Sequence, residues 1–389
     1  MDSTHPPSRI NWLNSSVLIL TPIATAILVP LYWINTGFSW MDWTIFGIFM
    51  VFTGLGITGG YHRLWSHKAY DAHPLVKLFY AYWGACAGQN SILKWSADHR
   101  YHHKHVDDNE KDPYSAKRGF WYSHIGWIMK DSPKGEDHYD NVKDLQKDKI
   151  VMFQDKYYLP LVLLSNFAVP FGLGFASYAI SGSGGIWGTF ILAGLLRFVL
   201  NHHFTFFINS ACHFFGSQPY SNKDTSRDNF ILALVTYGEG YHNFHHTFQA
   251  DYRNGIRWYH FDPTKWITKS LSYVGLTSNL KKVSENMIQK QIMLHSVNKE
   301  KESFLEKNDL VGKSSHISQK VEKLYLEFLE SLNAWMETSQ NYFRSLKKNK
   351  LSDSEKEDYR SKIDDLMQSI EAKKNKLLDF LNNTNPVPA

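Results

Sequence analysis

Histidines recur in this 389-residue chain at spacings suited to holding metal. They read His62-Arg-Leu-Trp-Ser-His67, His99-Arg-Tyr-His102-His103, Asn209-Ser-Ala-Cys-His213 and His242-Asn-Phe-His245-His246. Neutral imidazole is the commonest metal ligand, and packing does not explain so many imidazoles beside apolar stretches. In each H-x-x-H-H the later histidines stand at i+3 and i+4, so a helix projects all three from one face. The H-x-x-x-x-H box differs, because five residues turn a regular α-helix by roughly 500° and point its ends apart. That box requires the helix to end or unwind between His62 and His67.

The set is too large for one zinc, which takes four ligands in a structural site or three and a water in a catalytic one. Two metals with four or five imidazoles each use all of it. Nitrogen ligation without thiolates suits iron among the redox-active first-row metals, although affinity alone leaves others open. A redox pair next to apolar segments points to oxygen chemistry on an apolar substrate.

The elements that must carry these residues are membrane helices. The windows Trp12 to Ile34 and Tyr158 to Ile180 hold no charge, Trp40 to Tyr61 holds only Asp42, and Ile186 to His213 holds only Arg197. Each has about 20 residues or more, enough to cross a ~30 Å hydrocarbon layer. The mean hydropathy of −0.36 would suit a soluble protein, but it averages these spans with a strongly polar remainder. The fold expected is all-α integral membrane, with spans at about 12–34, 40–61, 158–180 and 186–213. The segments around 62–156 and after Cys212 are rich in Lys and Arg, whereas the turns at 35–39 and 181–185 are uncharged. By the positive-inside rule the termini and all the histidine boxes are cytoplasmic. Met1 to Ile10 does not read as a signal peptide, having one basic residue and a long apolar stretch after it. Cys86 and Cys212 read as reduced core residues, and nothing suggests nucleic-acid binding.

Gly54, Gly56, Gly59 and Gly60 precede His62 and allow close helix packing or passage of a ligand. Leu75 to Cys86 reads as an interfacial helix, 110–119 as a loop and 131–148 as a charged connector. Residues 1–285 form one expected domain and 286–389 a helical extension. There, Val321, Tyr325, Phe328, Leu332, Trp335 and Leu346, then Tyr359, Ile363, Leu366, Ile370, Leu377 and Phe380, recur at helical spacing. Ser352 and Glu355 read as a capping box, so an amphipathic helical hairpin is expected, turning at 347–352. His73, His105, His124, His138 and His260 read as non-ligands, and His203 as a polar contact within the fourth span. Glu239 is expected to orient a ligand imidazole.

The motifs H-R-L-W-S-H, D-H-R-Y-H-H, D-P-Y-S-A-K-R-G-F-W-Y-S-H-I-G-W, I-N-S-A-C-H-F-F-G and G-E-G-Y-H-N-F-H-H-T-F resemble those of the membrane-bound fatty acyl desaturases. The resemblance is closest to the Δ9 acyl-CoA (stearoyl-CoA type) enzymes and covers residues 10 to 285. It implies four membrane helices under a cytoplasmic helical cap, with a dimetal site of two irons on His62, His67, His99, His102, His103, His213, His242, His245 and His246. Asn209 would contribute through a water, and zinc can replace iron in purified samples. Molecular oxygen and two electrons would be consumed as a cis double bond forms between C9 and C10 of a saturated acyl chain, with the protein supplying position rather than an acid or base.

By the same resemblance, Gln89, Asn90, Trp95 and Asp98 would contact the thioester and tunnel mouth, Trp127 and Lys130 the coenzyme, and Thr205 and Phe206 the tunnel bend. Phe46 and Met50 lie roughly 24 and 18 Å before His62 by helix rise and would close the tunnel floor at a C16 or C18 chain. Animal acyl-CoA enzymes commonly carry Arg where Ala97 stands here, which leaves acyl-lipid or acyl-carrier-protein substrates open. The haem-ligating His-Pro-Gly-Gly of a fused cytochrome b5 does not occur in the sequence, so a separate ferredoxin, or cytochrome b5 with its reductase, is the expected electron donor. Basic residues Lys94, Arg100, Lys104, Lys117 and Arg118 would attract it. Alternatives are a glycerolipid desaturase, a diiron hydroxylase, or a non-enzymatic membrane protein holding structural zinc.

Overall fold

The computed structural model describes residues 9–131, 139–312 and 315–384. His138 and most of the N-terminal segment discussed above lie outside them. The helices are α1 (Trp12–Asn35), α2 (Trp40–Ser66), α3 (Pro74–Cys86), α4 (Ile92–His105), α5 (Lys149–Lys156), α6 (Tyr158–Ser181) and α7 (Trp187–Phe214). They continue with α8 (Phe230–Val235), α9 (His242–Thr247), α10 (Pro263–Tyr273), α11 (Glu285–Lys307), α12 (His316–Lys347) and α13 (Asp353–Asn383). Among the described residues the one strand pairing is short, with Asp71 and Ala72 antiparallel to Ser278 and Thr277.

Four helices, α1, α2, α6 and α7, are long and apolar enough to span a bilayer. Only 6% of the apolar window of α1 is buried against 56% of that of α2, so α2 is central and α1 peripheral. Besides Arg63 in the histidine box, the charged residues in these helices are Asp42 and Arg197, and both are hydrogen-bonded, as burial in hydrocarbon demands. Asp42 completes a capping box with Ser39 at the start of α2, accepting from its N and Oγ, both at 2.8 Å. Its other oxygen accepts from Ser177 (2.9 Å) and Thr189 (2.5 Å), which welds α2 to α6 and α7. Arg197 donates to the carbonyls of Ala193 (2.9 Å) and Cys86 (2.8 Å) and to Asn166. It therefore closes the carbonyl end of α3, where a cation is favoured.

The histidine box of α2 is not a regular helix, and α2 ends within it, at Ser66. From Gly56 to Ser66 the helix is underwound into a π-helix, and the His67 amide donates to the His62 carbonyl at 3.1 Å, an i→i+5 bond. Five residues then complete roughly one turn, which brings His62 and His67 back onto one face. The helix runs on to Ser66, five residues past the expected end of the span. Its glycines serve packing: a Cβ on Gly56 would lie 2.5 Å from the Gly84 amide nitrogen of α3, and one on Gly54 2.3 Å from the Tyr237 ring. Leu55, Ile57, Tyr61, Leu64 and Trp65 from this helix join Tyr70, Tyr80 and Ile92 in the main core. Cys86 and Cys212 are buried free thiols, as expected.

The chain divides into two compact units, residues 1–218 with 223–282 and residues 219–222 with 283–389. The second unit is built on α11, α12 and α13. The expected hairpin is α12 and α13, begun by capping boxes at Ser315 and at Ser352 with Glu355. Phe328, Leu332, Trp335, Ile370 and Leu377 form their core. A third helix, α11, adds Val297 and Phe304 to it. Its buried positions are Ile288, His295, Val297 and Phe304, too irregular a series to read as an apolar stripe.

Candidate metal centre

The histidines converge on one place in the first unit. His62 lies in the π-segment of α2 and His67 caps it, His99, His102 and His103 come from α4, His213 from the last turn of α7, and His242, His245 and His246 from α9. One nitrogen each of His62, His67, His99, His103 and His245 lies within 4.8 Å of the rest, and His102, His213 and His246 form a second such group. His242 Nε2 is 3.1 Å from the Nε2 atoms of His213 and His246, which places it with the second. The H-x-x-H-H helices are thus shared: α4 sends two imidazoles to the first group and one to the second, and α9 does the reverse. His245 Nε2 stands 3.0 Å from both His62 Nε2 and His103 Nε2, and His67 Nε2 2.8 Å from His99 Nε2.

The nitrogen spacing fits metal. Two nitrogens ~2.1 Å from one ion and at right angles to it are about 3.0 Å apart. His62 Nδ1 lies 2.9 Å from the Glu239 carboxylate, a contact that favours the proton on Nδ1 and a lone pair on Nε2. Thr225 donates to Asp107 at 2.8 Å and so accepts from His213 Nδ1 at 2.9 Å, with the same result. Lone pairs pointed inward at this range repel unless a cation lies among them. Burial, reinforced by the neighbouring imidazoles, holds His67, His99, His103, His242 and His245 well below the usual histidine pKa, so these rings are neutral donors.

Outer partners orient the rings. His102 Nδ1 meets Asp112 Oδ1 at 2.8 Å, His246 Nδ1 lies 3.7 Å from Asp224, and the Tyr114 hydroxyl is 3.3 Å from His99 Nδ1. Glu239 takes the place expected of it, and Arg63 clamps its other oxygen at 2.8 and 3.1 Å. Burial would raise the Glu239 carboxyl pKa, but Arg63 and His62 outweigh it and hold the group ionised. The sequence reading missed Arg63, Asp112, Asp224 and Thr225. Their signal was polar residues inside or just beyond the boxes, which resembles ordinary loop chemistry.

The other expected site residues are spread around the centre. Gln89 donates to Thr205 Oγ1 at 2.9 Å and so ties the α3–α4 connector to α7. Asn90, at φ +75°, donates its amide to the Tyr158 hydroxyl at 2.8 Å. Trp95 stacks on His99 with centroids 4.8 Å apart. Asp98 pairs with Lys94 at 3.0 Å. Trp127 packs on Tyr114 with its buried Nε1 unpartnered, and Tyr114 stacks on His102. Lys130 is exposed and its backbone bridges to Ile10. Phe206 is buried edge-on to His124, while Phe46 and Met50 are half-buried in α2. Asn209 is half-buried four residues before His213. Ala97 is fully buried, so an arginine there would have to reach out of the core. Arg100 is no free surface cation: it binds Asp144 and the carbonyls of Trp65, Ser66 and Asn141. His203 and His124 bond to each other at 3.0 Å, and His124 Nδ1 lies 2.9 Å from Ser210 Oγ.

Residues 38–276 match the family model for fatty acid desaturases. The chain is 42% identical over 290 residues to a probable acyl-CoA desaturase of Schizosaccharomyces pombe, covering 73% of this chain and 57% of that one. It is 41% identical over 293 residues to acyl-CoA desaturase 1 of Saccharomyces cerevisiae, 73% and 54% of the two chains. It is 35% identical over 288 residues to stearoyl-CoA desaturase 5 of Bos taurus, 72% and 82%. The match thus spans little more than half the length of the two fungal relatives.

Proposed function

The chain belongs to the fatty acid desaturase family, and on that premise we propose that it is an oxygen-dependent Δ9 acyl desaturase. Its substrate is a saturated C16–C18 chain carried as acyl-CoA, and its product the cis-unsaturated acyl-CoA. The observation that carries the reading is the pair of adjoining imidazole groups, five rings and four, at the end of two spanning helices. Two iron ions would suit them: His62, His67, His99, His103 and His245 would hold one and His102, His213, His242 and His246 the other, with Asn209 a further donor near the second. Iron, when bound, would activate molecular oxygen for the removal of hydrogen from two unactivated C–H bonds.

What this chain's own residues do is hold and exclude. Glu239, Asp112 and Thr225 fix the ring tautomers so that lone pairs face inward. The Gln89–Thr205 link and Phe206 would set the bend at which the chain passes the metals, and the unpartnered Trp127 Nε1 offers a donor to the coenzyme end. Phe46 and Met50 would close the far end. A membrane-embedded path keeps water from the reacting bond. Electrons would come from a ferredoxin or cytochrome b5 at the cytoplasmic face. Expression in a host lacking its own desaturase tests the proposal. Double bonds between C9 and C10 in C16 and C18 chains, with two irons per protein, are expected. Hydroxylated chains, or two inert zincs without turnover, would refute it.

A further inference from the structure

Behind His62 lies a buried charged chain that reaches into a different part of the molecule. Glu239 Oε2 is 2.9 Å from His62 Nδ1, and its Oε1 accepts from Arg63 Nε and Nη2 at 3.1 and 2.8 Å. Arg63 Nη1 continues to Asp262, 3.0 Å from Oδ1 and 3.1 Å from Oδ2, and to the Tyr252 carbonyl at 2.9 Å. These three side chains are 1%, 1% and 0% exposed. Asp262 Oδ2 also accepts from the amides of Asn254 (2.9 Å) and Gly255 (3.1 Å), and Oδ1 from the amide of Lys265 (2.9 Å). One guanidinium between two carboxylates leaves one net negative charge, and Glu239 presents it to the imidazole.

The backbone is shaped for this contact. Gly238 stands beside Glu239 at φ +98°, and a Cβ there would lie 2.7 Å from the Asp262 carboxyl carbon. Only glycine lets that turn and the carboxylate approach so closely. Arg63 lies inside the first histidine box, whereas Asp262 lies well beyond the last, so the sequence does not link them.

We propose that Asp262 is a positioning residue of the metal centre, acting through Arg63 and Glu239 on His62. A planar guanidinium that must satisfy two carboxylates has one orientation, and that orientation fixes where Glu239 holds the ring. The proposal rests on the metal-centre reading above. Asp262 also caps α10, but asparagine caps a helix about as well as aspartate. Asp262→Asn therefore keeps the cap and removes the charge that holds Arg63.

The test uses the full chain in detergent, freed of metal by chelation and titrated with cobalt(II), whose visible absorption reports nitrogen ligation. Wild type is expected to take up two equivalents. In Asp262→Asn one equivalent should bind about 10- to 100-fold more weakly, the usual effect of losing an outer partner, and the other should be unchanged. Asp262→Glu should restore part of the loss. Arg63→Lys keeps the charge but not the fork, and should show the same selective loss if Asp262→Asn does not fold. Two equivalents bound by both variants as in wild type would overturn the relay alone. Equal weakening of both equivalents, with a lower melting temperature, would mark a merely structural role. A wild type that takes up no cobalt would overturn the metal-centre reading and the relay with it.

Discussion

At the scale of single residues, the site depends on which nitrogen of several rings, His62, His102 and His213 among them, faces an outer partner. A carboxylate or a hydroxyl already engaged as a donor fixes the proton on Nδ1, and the metal-facing lone pair follows. The histidine types and spacings were legible in sequence, but not their division between the groups, because neighbours such as His102 and His103 point to different ones. The non-ligand His124 shows the same economy, bonded to His203 and Ser210. Burial, then His203, lowers its pKa from 6.5 to about 4. Between those values the unfolded chain takes up a proton that the folded chain refuses, so stability falls as pH drops from 6.5 toward 4. Melting temperature should therefore fall on acidification from pH 7 to pH 5, and less steeply in His124→Gln. Equal slopes would mean that other groups carry the effect.

At the scale of elements, the π-helix of α2 is the main device. The H-x-x-x-x-H spacing demands a departure from regular helix, and the sequence shows where but not in what form. The helix is underwound through the box and ends at Ser66, and α3 packs directly on the widened segment, with Gly56 against Gly84. Intrinsic propensity would favour alanine at Gly56 by about 1 kcal/mol. A Cβ 2.5 Å from backbone cannot be relieved by rotating a side chain, so overpacking wins. Gly56→Ala should destabilise the protein by about 1–3 kcal/mol in thermal unfolding and lower its metal content. Unchanged melting and metal content would show that the two helices separate freely.

At the scale of the whole molecule, every imidazole of the centre comes from the first unit and none from α11–α13. A chain ending at residue 283 should keep its full metal complement and its oxygen-dependent activity, and metal content halved by the truncation would assign the tail a part in the site. The sequence by itself determined the four apolar spans, the boxes and the paired tail helices, because periodicity and composition are local properties that survive in one dimension. Tertiary structure decided what depends on distant partners: the buried Asp42 as a weld of three spans, the sharing of α4 and α9 between the groups, and the link from Asp262 to His62. Those contacts join residues 135 or more positions apart, and local pattern holds no information at that range.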